Sequence, residues 1–325
     1  MPTEFDLIDR YFARETPQAV LGPGDDCAVL APSPGMELAI TTDMLVAGTH
    51  FFPETDPFQL GWKTLAVNVS DLAAMGAKPR WALLAGSLPA ADEPWIGAFT
   101  QGFFACAKCY GVDLVGGDTT RGPLNLCVTA LGELPAGQAL RRDKACAGDD
   151  VWVSGTPGLA ALGLAHLQGR VALADDLRVV CVSALQKPVP RVELGMALRE
   201  RKLARSAIDV SDGMLADLGH IVERSALDAE VFVARLPNLP KGVDSALARQ
   251  CQLAGGDDYE LIFTAAVENR AGLSGLATEL DLPLWRIGRM VAAKGRGEVR
   301  LIDEQGGRIS VGRKGFDHFG QDQNQ

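Results

Sequence analysis

Val112-Asp-Leu-Val-Gly-Gly-Asp118 is an apolar run that ends on two glycines and a carboxylate. The run predicts a buried strand, the glycines a place where backbone can approach a ligand closely, and Asp118 a charge held there. Later in the chain Ser206-Ala-Ile-Asp-Val-Ser-Asp-Gly213 follows the same grammar, and Leu215, Leu218 and Ile221 then recur at helical spacing. An apolar strand, a glycine- or serine-flanked aspartate turn and a helix, found in both halves, predict a mixed α/β fold.

Four more short motifs share this chemistry: Gly24-Asp25-Asp26, Thr41-Thr42-Asp43, Ser70-Asp71 and Gly255-Gly256-Asp257-Asp258. Any one of them taken alone reads as an ordinary turn or helix cap. As a set they point to a site. Two carboxylates 4 Å apart repel by roughly 1 kcal/mol in water and about 4 kcal/mol near a protein surface. If several of these turns converge, the cluster calls for a hard cation such as Mg²⁺, which takes oxygen ligands and shares them with substrate phosphates.

Three hundred and twenty-five residues suit two domains of roughly 150 each. The loop from Arg141 to Asp150, rich in glycine, alanine and charge, sets the expected boundary, giving domains 1–145 and 146–325. No apolar stretch reaches the ~18 residues of a membrane span. The acidic start Met-Pro-Thr-Glu-Phe-Asp is not expected to act as a signal peptide, so a cytoplasmic enzyme is expected. Acidic residues outnumber basic ones, 41 to 31, which argues against a nucleic-acid surface. The seven cysteines read as reduced thiols, and the lone Cys106-x-x-Cys109 lacks the second pair or histidine that a zinc site needs.

An amphipathic helix is expected on Phe5, Ile8, Tyr11 and Phe12, then short strands near 28–30 and 37–41. A long helix over 57–75 carries Phe58, Trp62, Leu65, Val69 and Leu72 on one face and places Asn68 and Asp71, spaced i and i+3, on one side. Further strands are expected at 80–87, 112–115, 124–131, 151–154, 206–210, 230–234, 259–264 and 284–287, a helix at 93–110, and a frayed end at 321–325.

The hydroxyls of Thr41 and Thr42 add neutral oxygens beside Asp43. Asp209 and Asp212 flank Ser211 at a strand-to-helix turn, where backbone N–H groups favour a phosphate. There is no phosphate loop bearing a lysine, no Gly-x-Gly-x-x-Gly fingerprint and no protein-kinase signature set. A bound ATP is then held through metal bridges, with Arg142 and Arg121 as cations for phosphate or, equally, as solvated surface arginines. Of the four histidines His50, eight residues after Thr42, reads as a neighbour of the acidic site or, equally, as a structural or surface residue, and none pairs with a serine or cysteine as a nucleophile would require. Direct phosphoryl transfer fits better than a covalent intermediate.

Gly22–Ala28, Thr41–Phe51, Ala66–Ala77, Val115–Pro123, Ala207–Gly213, Gly255–Leu261 and Lys314–Phe319 together resemble thiamine-monophosphate kinase, in the same order along nearly the whole chain. The His-Phe end of the second motif and the closing Lys-Gly-Phe-Asp-His-Phe set that family apart within the aminoimidazole-ribonucleotide-synthetase-like ATP enzymes. The resemblance implies a two-domain α/β (α+β) fold and a homodimer whose N-terminal strands form a barrel across the interface. It implies transfer of the γ-phosphoryl group of ATP to thiamine monophosphate, with neither nucleic acid nor membrane as a partner. It also implies that Asp26, Thr41, Thr42, Asp43, Asp71, Asp118, Asp209 and Asp212 ligate several Mg²⁺ ions. Gly117, Asp118, Arg142 and Ser211 would contact ATP, and His50, Asp257 and Phe316 the thiamine end, Phe316 by stacking. The family usually has glutamate where this chain has Asp257. The alternatives are another ATP-using enzyme of the superfamily, or a nucleotide or thiamine phosphate sensor without turnover.

Overall fold

The computed structural model describes residues 3–238, 240–295, 297–310 and 315–316, with Glu4 and Phe5 described in backbone only. The side chain of Phe5, His318 with the rest of the closing motif around Gly315-Phe316, and the tail Gln321–Gln325 lie outside the described residues. The chain divides into two units, Met1–Ala139 and Leu140–Gln325, each with its own sheet.

In the first unit the predicted N-terminal helix is short. Helix α1 (Glu4–Leu7) widens into a π-type turn over Ile8–Phe12, and the Tyr11 hydroxyl donates to Glu93 Oε2 at 2.9 Å. The strand expected near 28–30 is only an isolated bridge between Leu21 and Val29. Pro23, Pro32 and Pro34 have no N–H to extend a ladder there. Strand β1 (Met36–Val46) instead runs well past the expected end at 41. Helix α2 (Pro57–Ala74), strand β2 (Lys78–Leu88), helix α3 (Glu93–Tyr110), strand β3 (Asp113–Arg121) and strand β4 (Asn125–Pro135) follow.

Both long helices start where the sequence says they must. Asp56 accepts from Gln59 N at 3.1 Å and Asp92 from Trp95 N at 3.2 Å, with Pro57 and Pro94 in the first turns. Such a cap contributes about 1 kcal/mol. Helix α3 ends at Gly111, which takes the left-handed conformation at φ 67°. Helix α2 departs from the one-sided expectation: it is buried on nearly every side from Leu60 to Ser70, because it lies between α3 and the sheet. The two helices meet backbone to backbone. A Cβ on Gly61 would stand 1.9 Å from Phe99 O, and one on Gly102 would stand 1.8 Å from Phe58 O.

The sheet order is β1-β4-β2-β3, antiparallel except for the β2–β3 pair. Residues alternate along β1: Asp43 and Leu45 lie on the side packed by α2, whereas Ile40 and Met44 are 62% and 51% exposed on the other.

The second unit holds β5 (Asp150–Ser154), α4 (Leu159–Leu167), α5 (Asp175–Gln186), α6 (Val192–Glu200), β6 (Ser206–Asp209) and α7 (Met214–Ser225). Then come β7 (Leu227–Phe232), α8 (Ser245–Ala254), β8 (Leu261–Ala265), α9 (Arg270–Glu279), β9 (Leu284–Ala292), β10 (Val299–Ile302) and β11 (Arg308–Ile309). Its sheet order is β11-β10-β7-β9-β5-β8-β6. Leu215, Leu218 and Ile221 of α7 pack into a core with Ile208, Val151 and Ile287, as their spacing predicts. Strands β10 and β11 were not foreseen, since Arg300 and Arg308 break the apolar pattern at the edge of the sheet. Among the described residues no helix is long and apolar enough to cross a membrane.

Candidate functional site

Asp43 and Asp71 come from neighbouring elements, β1 and α2. Asp43 N donates to Asn68 Oδ1 at 3.0 Å, so Asn68 ties the strand to the helix one turn before Asp71. The Thr41 hydroxyl donates to Asp71 Oδ2. Burial, and then the Asp71 charge, push the Asp43 carboxyl up from 3.8 to about 7. A dication between them would reverse that shift, and the donor set of carboxylates and a hydroxyl is the oxygen chemistry Mg²⁺ takes. Thr42 is not brought to this pair by its side chain. Its hydroxyl stands 2.9 Å from that of Thr129 across the β1–β4 ladder, because a strand sends alternate residues to opposite faces.

Asp26 and Asp118 lie at a different place in the same unit. Both line a cleft of about 1060 Å³, together with Phe12, Asp25 and Gly117. The Gly116-Gly117-Asp118 motif lies inside β3 and not past its end, because the parallel ladder with β2 continues through it. Gly117, at φ 155°, is where only glycine fits: a Cβ there would stand 1.9 Å from Leu84 O. His50 follows β1, and its Nδ1 accepts from Val46 N at 3.0 Å, which leaves the proton of the neutral ring on Nε2. Arg121 ends β3 and is exposed.

In the second unit the Asp209–Gly213 turn joins β6 to α7, as predicted, but its N–H groups are already taken. Ser211 N, Asp212 N and Gly213 N donate to one oxygen of Asp217 at 3.1, 3.1 and 3.0 Å. The expectation that these N–H groups receive a phosphate is therefore corrected: an internal carboxylate fills the position. Burial pushes Asp217 up to about 7 and the Asp212 charge adds to this, while the three N–H donors pull it down. The carbonyls of the same turn reach two other predicted residues. Asp257 N donates to Ser211 O at 2.8 Å and Phe316 N to Asp212 O at 2.9 Å. Ser211, Asp212, Asp257 and Phe316 thus form one cluster, with Phe316 40% exposed. Asp209 ends β6 and is buried. Arg142 is exposed and makes no ion pair among the described residues; its carbonyl accepts from the Ser225 hydroxyl at 2.8 Å.

Sequence reasoning gave three residues here no role of their own. Asp217 had one signal, an acid in the first turn of a helix. Asp258 accepts from Gly158 N at 2.6 Å and Ala160 N at 3.2 Å, tying the glycine-aspartate turn to the start of α4. The Tyr259 hydroxyl donates to Asp257 Oδ1 at 3.0 Å. Among the described residues no three His, Cys, Asp or Glu side chains stand together as a ready metal site.

Residues 24–134 match the AIR synthase related protein, N-terminal domain, family. Over 324 residues the chain is 45% identical to the thiamine-monophosphate kinase of Salmonella typhimurium, covering 97% of this chain and 98% of that one. The crystal structure of thiamine-monophosphate kinase from Stenotrophomonas maltophilia is similar at 52% identity and TM-score 0.83, covering 91% of this chain and 96% of that chain. AaThiL complexed with AMPPCP and TMP is similar at 29% identity and TM-score 0.76, covering 89% of each chain. The motifs, the two sheets and this near full-length similarity lead to one conclusion: the chain belongs to the thiamine-monophosphate kinase family.

Proposed function

We propose that this chain transfers the γ-phosphoryl group of ATP to the phosphate of thiamine monophosphate in the cytoplasm, yielding thiamine diphosphate and ADP with Mg²⁺ assistance. The observation that carries the reading is the Asp43–Asp71 pair with its Thr41 and Asn68 partners, in a chain 45% identical over nearly its full length to a kinase of that name.

Asp43, Asp71 and Thr41 would hold Mg²⁺ in the first unit, as would Asp26 and Asp118 at the cleft, and Asp209 and Asp212 in the second. The Mg²⁺ ions, when bound, neutralise phosphate charge and polarise the group in transfer. Gly117 lets the nucleotide lie against β3, while Arg142 is placed on phosphate. Thr42 serves the metal through its main chain, since its hydroxyl is engaged elsewhere. His50, Asp257 and Phe316 face the vitamin. No residue acts as general base, because a phosphate acceptor is already an anion at neutral pH. Ser211 orients ATP by its hydroxyl, its N–H being bound to Asp217.

Purified protein should release ADP with thiamine monophosphate in a Mg²⁺-dependent way and little with thiamine. The check is a steady-state coupled assay over a panel of phosphorylated vitamins. Thiamine serving as well as its monophosphate defeats the proposal, and binding of ATP without turnover favours a sensor.

The active form is a homodimer with a barrel closed across the interface by first-unit strands. In support, Leu38, Ile40 and Met44 of β1 and Leu83 of β2 leave an apolar sheet face exposed. Light scattering should give twice the 34.5 kDa chain mass, and Ile40→Asp should shift it toward the monomer. A monomeric parent protein removes the barrel from the proposal.

A further inference from the structure

Asp217 is 2% exposed, stands one turn into α7 and is not itself one of the residues assigned above to metal, nucleotide or vitamin. One of its oxygens accepts three consecutive backbone N–H groups, those of Ser211, Asp212 and Gly213. Three bonds to a single carboxylate oxygen determine the orientation of the peptide planes on either side of Ser211 and Asp212. The carbonyls of those planes then point away from Asp217. They accept from Asp257 N at 2.8 Å and Phe316 N at 2.9 Å, residues that arrive from distant parts of the chain. Gly213 is confined as well, since a Cβ there would meet the Ala254 backbone at 2.8 Å. The turn is thus a hub: N–H groups inward to Asp217, carbonyls outward to Asp257 and Phe316, and the Asp212 side chain beside them.

We infer that Asp217 is a positioning residue of the second unit, which by anchoring this turn sets Asp212, Asp257 and Phe316 together. It also fills the place a phosphate would take at the start of α7, so that the turn receives anions only through metal held by Asp209 and Asp212. The assignment of Asp257 and Phe316 to the vitamin rests on the proposed kinase reaction; the hub does not.

The test uses Asp217→Ala and Asp217→Asn in the full-length protein, with melting curves to establish folding. Amide hydrogen exchange is read at Ser211, Asp212, Gly213, Asp257 and Phe316 in the absence of ligands. Asp217→Ala should exchange at least ten-fold faster at all five amides, including the two that Asp217 does not touch. Asp217→Asn, which retains a neutral acceptor, should fall between Ala and the parent. The KM for thiamine monophosphate should rise at least ten-fold in Asp217→Ala, with partial recovery in Asp217→Asn. Exchange at Asp257 and Phe316 unchanged in a folded Asp217→Ala overturns the inference. If Asp217→Ala does not fold, Asp217→Asn decides, and parent-like exchange at those two amides overturns it. A parent protein that makes no ADP from thiamine monophosphate defeats the kinase proposal alone, since the exchange readout needs no turnover.

Discussion

Asp43→Asn and Asp71→Asn should each lower turnover with thiamine monophosphate by roughly 10²–10³-fold at saturating Mg²⁺, the scale of losing one preorganised group that stabilises transition-state charge. The metal-free fold should not suffer with it. Burial, and then Asp71, hold folded Asp43 at about 7 against an ordinary 3.8. A carboxyl raised by folding stabilises the fold fully only below about pH 4, and that contribution is lost as the pH climbs through about 7. Metal-free parent protein should therefore melt lower, relative to Asp43→Asn, at pH 8 than at pH 5. Melting temperatures in chelator at the two pH values, set beside turnover at saturating Mg²⁺, check both halves. A large loss of metal-free stability with near-normal turnover would make these aspartates turn residues and nothing more.

Asp257→Ala should raise the KM for thiamine monophosphate roughly ten- to hundred-fold and leave that for ATP nearly unchanged. One hydrogen bond to a charged group contributes about 1.5–3 kcal/mol, which is the origin of that range. The geometry gives Asp257 a fixed aim. Its backbone is left-handed at φ 66°, its N–H is bound to Ser211 O, and one carboxylate oxygen accepts from the Tyr259 hydroxyl. Asp257→Glu keeps the charge with a longer reach and should retain activity. Steady-state kinetics with each substrate varied in turn decide the matter. If the ATP constant rises and the vitamin constant does not, Asp257 belongs to the nucleotide.

Much of the fold was legible because local signals agree with tertiary demand. Asp56-Pro57 and Asp92-Glu93-Pro94 announce two helices, Gly111 ends the second, and the apolar period of Met214–Ser225 faces a core. Strand ends were less legible. Thr41-Thr42-Asp43 and Gly116-Gly117-Asp118 look like turns after strands, yet ladder partners on β4 and β2 carry the strands through them. A pairing partner distant in sequence decides where a strand stops, and nothing local reports it. The same holds for 28–30, where the apolar Ala28-Val29-Leu30 finds only one bridge.

By itself the sequence determined the family, through the order of its motifs, and marked the aspartates and their small neighbours as the candidates for its chemistry. Only the tertiary structure decided which of them stand together. It turned Asp43 and Asp71 toward one another, sent the Thr42 hydroxyl to the opposite face, and placed the internal Asp217 carboxylate where a phosphate was expected. The physical reason is that residue type sets what a group can bind. Strand alternation, helix register and competition for backbone N–H groups set what it does bind, and these depend on contacts between segments far apart in the chain.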